Sequence, residues 1–425
     1  MTVTAASRTF DRFGNPHAAG LPYARGEILR STEDDLAKLR RAWREVSRRH
    51  GAREPLYNFS GLERSLRIEP EMLALMDDEL APALLLDRVR DLAFEHLGGD
   101  PSRHDVLVCN RLTAAVFAAS IALVQPGDTV VGISAGHSHP AIVRAVGHRG
   151  ARFVDTTSVD GLTRALERER GLTLVVLTRL AVTYDLLESE ALAQAVELAQ
   201  RAGARILVDD AGGARVGPAV FGQPRTLELG VDVGATGLDK YGTSGPRLGL
   251  LGGERELVSQ IRGRAFELGL EARPMLLPAV VASLEQYRPE RVRALVAATR
   301  ELTDELRRRL GGLVHETPVT AQLAGEDILD HALAEHELDG PPIVPYEATA
   351  ALAMLLLLDH GILTVHFAAV PPGTSAILFK FVPPELLERF GGAGRLAAAV
   401  EASLARLAGV IASPTAVRRL LLGSD

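Results

Sequence analysis

Short apolar segments alternate with helical segments along the middle of this 425-residue chain, and this alternation restricts the possible folds more than any other feature. The apolar segments are DVLV, DTVVGI, ARFVDT, LTLVVLT and ARILVDD. Strands that alternate with helices of about 10–15 residues form right-handed crossovers and a largely parallel sheet. Because these segments are apolar throughout, helices should cover both faces of the sheet. We predict an α/β fold, with a three-layer αβα arrangement around a mostly parallel sheet of the seven-stranded type in a large domain.

The ends of the chain differ in character from this middle region. The first residues are polar and mostly helical in pattern, and after Gly311 short β-like runs (ILTVHFAAV and SAILFKFV) precede a closing helix, GRLAAAVEASLARLAGVI. The runs DVGATG and PRLGLLGG predict two further strands of the large sheet, the second antiparallel. We therefore predict an N-terminal helical segment over 1–60, a large domain over 61–311 and a small C-terminal α+β domain over 312–425.

Composition narrows the possible partners. A formal net charge of −7 and a pI near 6.0 argue against nucleic acid or an anionic membrane as partner, although a tRNA stays open. The single cysteine, Cys109, excludes an intrachain disulfide and a multi-cysteine metal cage. The longest apolar runs are shorter than the roughly 18 residues of a membrane span, and no signal peptide is visible at the N-terminus. We expect a cytoplasmic protein without a membrane partner.

Lysine is rare in this chain. Only three of the 47 basic residues are lysines, Lys38, Lys240 and Lys380, so a lysine can mark a position that arginine cannot serve. One such task is imine formation, because a primary amine can lose its proton and attack a carbonyl whereas a guanidinium stays protonated. Lys38 lies in the polar run DDLAKLRRAWRE, and we interpret it as a surface lysine left by chance. Lys240 follows a strand-like run and precedes a glycine-rich turn, GTSGP, which permits close approach of the backbone to an anion.

Asp209 ends the apolar run ARILVDD, 31 residues before Lys240. Ligands of an open parallel sheet bind beyond the carboxyl ends of the strands. A carboxylate there can keep a pyridine nitrogen protonated, which makes pyridoxal phosphate (PLP) an effective electron sink. The alternative is a helix cap or a solvated loop. Asp209 and Lys240 together predict a PLP site, with the two side chains on opposite sides of one planar ring.

Two other strand ends carry groups that suit this cofactor. In LVCNRLTAA, the N–H groups at a helix start, the Thr113 hydroxyl and Arg111 suit a phosphate, the alternative being an ordinary helix cap. In AGHSHPAI, His137 and His139 follow the next strand, and an imidazole can stack on a pyridine ring. The alternatives are polar loop histidines or a metal pair. Because no cysteine or carboxylate cluster lies near the two histidines in sequence, we expect no metal.

Along the chain, a phosphate segment is followed by a histidine, then by Asp209 and then by Lys240. With these groups in this order, the chain resembles fold-type-I PLP enzymes, the aspartate aminotransferase superfamily, over roughly residues 55–410. Within it the chain is most similar to the selenocysteine synthase group, which includes bacterial seryl-tRNA selenium transferases, archaeal homologues and aminosugar-acid ammonia lyases. The motif that carries this likeness is Asp239-Lys240 followed by Gly245-Pro246. The resemblance implies that Lys240 binds the cofactor, Asp209 pairs with the pyridine nitrogen and His139 stacks on the ring. It also implies a phosphate cradle over Asn110–Ala114, which includes Arg111, Leu112 and Thr113, and a cofactor-binding turn at Gly245. A basic stretch with Arg264 and Arg273 would bind an anion.

One departure from the superfamily concerns the substrate carboxylate. Aminotransferases usually bind it with an arginine of the small domain, but the corresponding run here, SAILFKFVP, has Lys380 and no arginine. Arg247 and Arg64 are the substitutes we consider. The resemblance favours a lyase or transferase that acts on an amino-acid-like small molecule through a Cα carbanion, with β-elimination or β-replacement and Lys240 as the base. The alternatives are an aminotransferase and a non-catalytic PLP-binding regulatory protein. The resemblance also implies a homodimer or a larger homo-oligomer.

Overall fold

The computed structural model describes residues 10–19, 21–334, 336, 340–368 and 370–423. The described residues form two compact units. The larger unit comprises 63–293, and the smaller unit combines the described parts of 1–62 and 294–425.

Strands and helices are numbered in chain order. The strands are β1 (Tyr57–Asn58), β2 (His104–Cys109), β3 (Thr129–Ser134), β4 (Arg152–Thr156), β5 (Leu172–Thr178), β6 (Arg205–Asp209), β7 (Val233–Gly237), β8 (Gly249–Glu254), β9 (His315–Thr317), β10 (Thr320–Ala324), β11 (Ile362–Leu363) and β12 (Ala376–Lys380). The α-helices are α1 (Thr32–Gly51), α2 (Pro70–Leu73), α3 (Leu80–Leu97), α4 (Leu112–Leu123), α5 (Pro140–His148), α6 (Val159–Arg168), α7 (Ser189–Arg201), α8 (Gly213–Phe221), α9 (Arg255–Leu268), α10 (Leu277–Gln286), α11 (Pro289–Leu310), α12 (Gly325–Leu333), α13 (Pro345–His360), α14 (Pro384–Phe390), α15 (Ala393–Ile411) and α16 (Pro414–Leu422).

The larger unit is built on a seven-stranded sheet of order β2-β8-β7-β6-β5-β3-β4. Strand β8 runs antiparallel to both of its neighbours, and the other pairs are parallel. Successive residues of β5 enter two different hydrophobic clusters: Val175 and Leu177 pack in one, and Leu174 and Val176 pack in the other. Helices therefore cover both faces, which is why the strand is apolar at both parities. The predicted three-layer α/β architecture with an antiparallel β8 is confirmed.

The smaller unit packs helices around a three-stranded antiparallel sheet of order β12-β10-β9. Its central element is α13, in which every residue over 345–357 is buried. This helix belongs to the core of the unit, because residues on all its sides join one hydrophobic cluster. Among the described residues, no helix of the chain is both long and apolar enough to cross a membrane.

The structure divides the chain differently from the three-part division expected from sequence. The boundaries lie at 62/63 and 293/294, and the N-terminal segment shares one unit with the C-terminal part. Two sets of hydrogen bonds explain this. Strand β1 pairs with β11 in parallel, and the backbone N–H groups of Ile28 and Leu29 donate to the buried Glu347 side-chain carboxylate. Sequence patterns do not reveal such pairing because the partners are about 300 residues apart.

Two local predictions for this unit were confirmed only in part. The segment 1–60 was predicted to be helical, yet its one α-helix among the described residues is α1, and residues 1–9 lie outside them. The run ILTVHFAAV was predicted to be β-like, yet only its first two residues form β11, and a short 3-10 helix over Val365–Phe367 follows. Ala369 of that run lies outside the described residues. A short apolar run has no period that separates a strand from a tight helical turn.

Lys38 is buried, which corrects its interpretation as a surface lysine. Only 1% of it is exposed, and its Nζ lies 3.4 Å from Asp35 Oδ1 and 3.1 Å from the Tyr346 hydroxyl. Arg25 holds the other carboxylate oxygen of Asp35 at 3.0 Å. Burial lowers the pKa of Lys38 to about 8, although the negative charge of Asp35 acts in the opposite direction. The polar neighbours of Lys38 in sequence concealed this, because its partner Tyr346 is distant along the chain.

This lysine predicts a specific pH dependence of stability. Between pH 8 and 10 the unfolded chain binds a proton at Lys38 that the folded chain has released, so the free energy of unfolding rises with pH across this window. We expect the rise to approach about 1.4 kcal/mol per pH unit. Urea unfolding of the native protein and of Lys38→Met at several pH values will measure it. Equal slopes for the two proteins would contradict the prediction.

Candidate functional site

Neighbouring strands of the large sheet bring the predicted residues to one edge. Asp209 is the last residue of β6, and Lys240 lies three residues beyond the end of β7, the strand paired with β6. His139 follows β3 at the same edge, because β3, β5, β6 and β7 are parallel. The negative charge of Asp209 and the positive charge of Lys240 are close enough to affect each other electrostatically.

Asp209 is a buried carboxyl group with an unused acceptor. It is 4% exposed, and its Oδ1 has no hydrogen-bond partner among the described residues. Burial, and after it the charge of the neighbouring Asp210, raise its pKa to about 7, although the positive charge of Lys240 acts in the opposite direction. A cationic donor placed at Oδ1 would therefore be strongly stabilised.

The next residue, Asp210, has a different environment. Its Oδ2 accepts hydrogen bonds from Arg179 Nη2 and from the Thr226 hydroxyl, both at 2.8 Å, and both Asp210 and Arg179 are completely buried. Arg179 also donates to the carbonyl oxygen of Pro224. Oδ1 of Asp210, like Oδ1 of Asp209, has no hydrogen-bond partner among the described residues. Asp210 differs from Asp209 because its Oδ2 is held by Arg179 and Thr226.

Lys240 belongs to a turn that also carries Asp239. Lys240 Nζ lies 3.9 Å from Asp239 Oδ1. The other oxygen of Asp239 accepts from Arg64, whose Nε and Nη2 lie 2.8 and 2.7 Å away. Burial alone would raise the pKa of Asp239, but Lys240, Arg64 and Arg247 together lower it. Asp239 is therefore a carboxylate at neutral pH, positioned between a guanidinium and the lysine amine.

The predicted phosphate segment lies where β2 passes into α4. Arg111 occupies the N-cap position before the helix, which starts at Leu112, and its side chain makes no capping hydrogen bond. Arg111 and Thr113 are exposed, so N–H groups and a hydroxyl are available there. The side chain of Asn110 donates to the Gly269 carbonyl and anchors the strand end. The backbone passes so close to Gly249 that a Cβ atom on this glycine would lie 2.6 Å from the Arg111 oxygen.

His139 caps the first turn of α5. Its Nδ1 accepts from the N–H of Ala141 at 3.1 Å, so this nitrogen is unprotonated. Part of the His139 residue is accessible to solvent, although protein surrounds it densely. Desolvation is the larger cause that lowers the pKa of His139, and the positive charge of Lys240 is the second. The imidazole is thus neutral at neutral pH. His137, also considered from sequence, is exposed two residues earlier.

Arg247 follows the glycine-rich turn and faces the phosphate segment. Gly245, with φ of 111°, occupies a backbone region that favours glycine, and its peptide bond to Pro246 is cis. Cys109 is paired with Gly249 in the antiparallel β2–β8 ladder, and continuation of this register places Arg247 opposite Arg111. Desolvation lowers the pKa of Arg247, and the positive charges of Arg64 and Arg111 lower it further.

Two of the arginines proposed from sequence are engaged elsewhere. Arg264 pairs with Glu267 at 2.7 Å on the exposed part of α9, and Arg273 pairs with Asp78. Both arginine side chains are more than half exposed, at 51% and 69%, and each is held by its carboxylate partner.

Sequence reasoning missed two buried arginines near this edge. Arg179 directly follows β5, and reading every strand end in turn would have found it. Arg215 lies on α8 and contacts the lysine turn, and no sequence signal identifies it. Among the described residues, no group of three or more His, Cys, Asp or Glu side chains could hold a metal ion.

Comparison with known proteins gives a consistent assignment. No protein-family model matches the chain. A UPF0425 pyridoxal phosphate-dependent protein of Methanothermobacter thermautotrophicus is 30% identical over 385 residues, which cover 89% of this chain and 95% of that protein. An L-seryl-tRNA(Sec) selenium transferase of Moorella thermoacetica is 27% identical over 253 residues, 52% of this chain and 53% of that one.

Solved structures support the same fold. N-Succinyldiaminopimelate aminotransferase from Mycobacterium tuberculosis superimposes with a TM-score of 0.57 at 19% identity, over 85% of this chain and 96% of that one. At this identity the likeness shows the fold alone, which is the fold-type-I architecture expected from sequence. The sequence relationship over nearly the whole length goes further: the chain belongs to the UPF0425 family of pyridoxal phosphate-dependent proteins.

Proposed function

We propose that Lys240 holds PLP covalently, and that this PLP-dependent enzyme acts on an amino acid or amino-acid-like substrate by β-elimination or β-replacement. The observation that carries the proposal is the combination of Asp209, a buried carboxyl with an unpartnered oxygen, and Lys240, an amine on the neighbouring strand end.

The residues at this edge fit the cofactor. Asp209 Oδ1 would accept a hydrogen bond from the protonated pyridine nitrogen, which favours the ionised form of a carboxyl whose pKa is otherwise about 7. The neutral His139 would stack on the ring, and the first turn of α4 with Arg111 and Thr113 would bind the phosphate. Asn110 and Leu112 would contribute backbone to this cradle, and Gly245 would let the turn after Lys240 approach the cofactor closely. When bound, PLP supplies an electron sink for charge that develops at the substrate Cα.

Lys240 is the group that would move the proton. Its Nζ removes a proton from the substrate Cα, and Asp239 Oδ1 at 3.9 Å stabilises the resulting ammonium. Arg64 holds Asp239 through the other oxygen and so keeps Oδ1 directed to the lysine. Such a base gives the proton to the leaving group as it departs from Cβ, and in a replacement it returns a proton to Cα after the nucleophile has added at Cβ.

The substrate carboxylate would bind Arg247. Arg64 is engaged by Asp239, whereas Arg247 has no hydrogen bond or ion pair within the described part of the chain. Lys380, which stands where an aminotransferase arginine was expected, is 3% exposed within β12. The relative named L-seryl-tRNA(Sec) selenium transferase supports a replacement or elimination reaction over transamination. A homo-oligomer stays a prediction from the resemblance.

Reductive trapping tests the covalent assignment cleanly, because the chain has only three lysines. PLP is added, the complex is reduced with borohydride, and the peptides are mapped by mass spectrometry. We expect the pyridoxyl group on Lys240 and not on the buried Lys38 or Lys380. A pyridoxyl group on Lys38 or Lys380 would overturn the assignment, and so would the absence of a pyridoxyl group from all three lysines.

Product analysis of the loaded protein then distinguishes the reactions. Amino acids that carry a leaving group at Cβ should give a 2-oxo acid, ammonia and the free leaving group without an amino acceptor. Turnover that requires a 2-oxo acid acceptor and returns an amino acid would favour an aminotransferase instead. Trapping at Lys240 without any turnover would favour a regulatory PLP-binding protein.

A further inference from the structure

Arg215 is a buried cation without a carboxylate partner within 4.0 Å among the described residues. Its side chain, on α8, has no exposed surface. Nη1 donates to the carbonyl oxygens of Gly237 and Lys240, both at 2.7 Å. The Tyr287 ring centroid lies 5.8 Å from Cζ, which adds a cation–π contact. Burial lowers the pKa of Arg215 to about 10, so the group remains charged at neutral pH.

A buried guanidinium of this kind is a costly choice for packing alone. Its Nε and Nη2 have no hydrogen-bond acceptor within the described part of the chain. An apolar side chain of similar volume would avoid the desolvation cost. The two charge-assisted hydrogen bonds are what an arginine supplies here and an apolar side chain could not.

These two hydrogen bonds enclose the turn that carries the lysine. Gly237 ends β7, and its oxygen and the oxygen of Lys240 meet at one nitrogen of Arg215. The lysine side chain folds back over Gly237, where a Cβ would lie 3.2 Å from Lys240 Cγ and 3.3 Å from its Cε. Thr243 Oγ1 also donates to the Lys240 oxygen, at 3.1 Å. The backbone from which the lysine side chain starts is therefore held by Arg215 together with Thr243.

We propose that Arg215 is a positioning residue that holds the carbonyls of Gly237 and Lys240 and thereby directs the lysine amine to the strand edge beside Asp209. The inference rests on the proposed function, because it requires Lys240 to be the amine that binds PLP. A small rotation of the peptide at Lys240 becomes a larger displacement at the end of the four-carbon side chain. Loss of the two hydrogen bonds would therefore misplace Nζ and leave the other residues of the candidate site in position.

The test compares Arg215→Met and Arg215→Lys with the control Arg293→Met. Arg293 also donates to a carbonyl of α8, that of Ala219, but its side chain is half exposed. The readouts are the rate of borohydride trapping at Lys240 and the unfolding midpoint of the cofactor-free protein. We expect trapping in folded Arg215→Met to fall about ten- to a hundredfold, since misplacement by about 1 Å costs this much in reactivity. Arg215→Lys should lie between, and Arg293→Met should match the native protein.

The outcomes separate this proposal from the proposed function. Absence of trapping at Lys240 in the native protein defeats the proposed function itself. Normal trapping in both the native protein and folded Arg215→Met overturns the positioning role alone. If Arg215→Met does not fold, a crystal structure of the native protein with PLP decides the question. Arg215 Nη1 must then still contact both carbonyl oxygens, and a structure in which it contacts neither overturns the proposal.

Discussion

Replacement of Lys240 by alanine will abolish covalent capture of PLP and lower turnover of an amino substrate by roughly a thousandfold or more. A positioned base contributes about 10²–10⁴-fold to proton transfer, and this variant also loses the covalent link. The measurement is steady-state turnover together with borohydride trapping. Small exogenous amines should restore part of the turnover in Lys240→Ala.

Two further variants make this result specific. Lys240→Arg keeps the charge beside Asp239 but cannot attack a carbonyl, so it should be as inactive as the alanine variant. Arg264→Ala removes an exposed ion pair on α9 and should leave trapping and turnover unchanged. Substantial turnover in Lys240→Arg would contradict the assignment of Lys240 as the base.

Asp209→Asn is expected to lose activity while the cofactor-free protein becomes more stable. The amide cannot stabilise a protonated pyridine nitrogen, and we expect turnover to fall by roughly 10²-fold or more. The raised pKa of Asp209 gives the stability effect its sign. The folded state keeps its proton up to about pH 7 while the unfolded state loses it near pH 3.8, so ionisation destabilises the native fold as pH rises through this window.

The gain in stability should therefore depend on pH. At pH 8 Asp209→Asn should exceed the native protein by up to about 4 kcal/mol, roughly 1.4 kcal/mol for each unit of pKa displacement, and near pH 4 the difference should vanish. Urea unfolding without PLP measures both values. Asp210→Asn is the matched control: it weakens a completely buried pair with Arg179, so it should destabilise the protein at pH 8. A destabilised Asp209→Asn at pH 8 would contradict the prediction.

The class of fold followed from local patterns in the sequence. Strand segments such as LTLVVLT are apolar at both odd and even positions because helices cover both faces of the sheet. In the structure, alternate residues of β5 pack into two different hydrophobic clusters. Parallel strands end at one edge, so the positions of Asp209 and Lys240 after their strands already indicated that they would be neighbours. The rarity of lysine then singled out Lys240, and family membership confirms the predicted PLP dependence.

The pairing of distant charged groups was decided only in the tertiary structure. The sequence predicted Lys38 to be a surface residue. In the structure it is buried and contacts Asp35 and Tyr346, and Tyr346 lies 308 residues away along the chain. Arg64 meets Asp239 across 175 residues, and Arg215 meets the Lys240 carbonyl without any motif. Periodicity reports which face of an element is apolar, because that depends on near neighbours in sequence. The partner of a buried charge depends on which elements the fold brings together, and the sequence encodes this only through the packing of the whole chain.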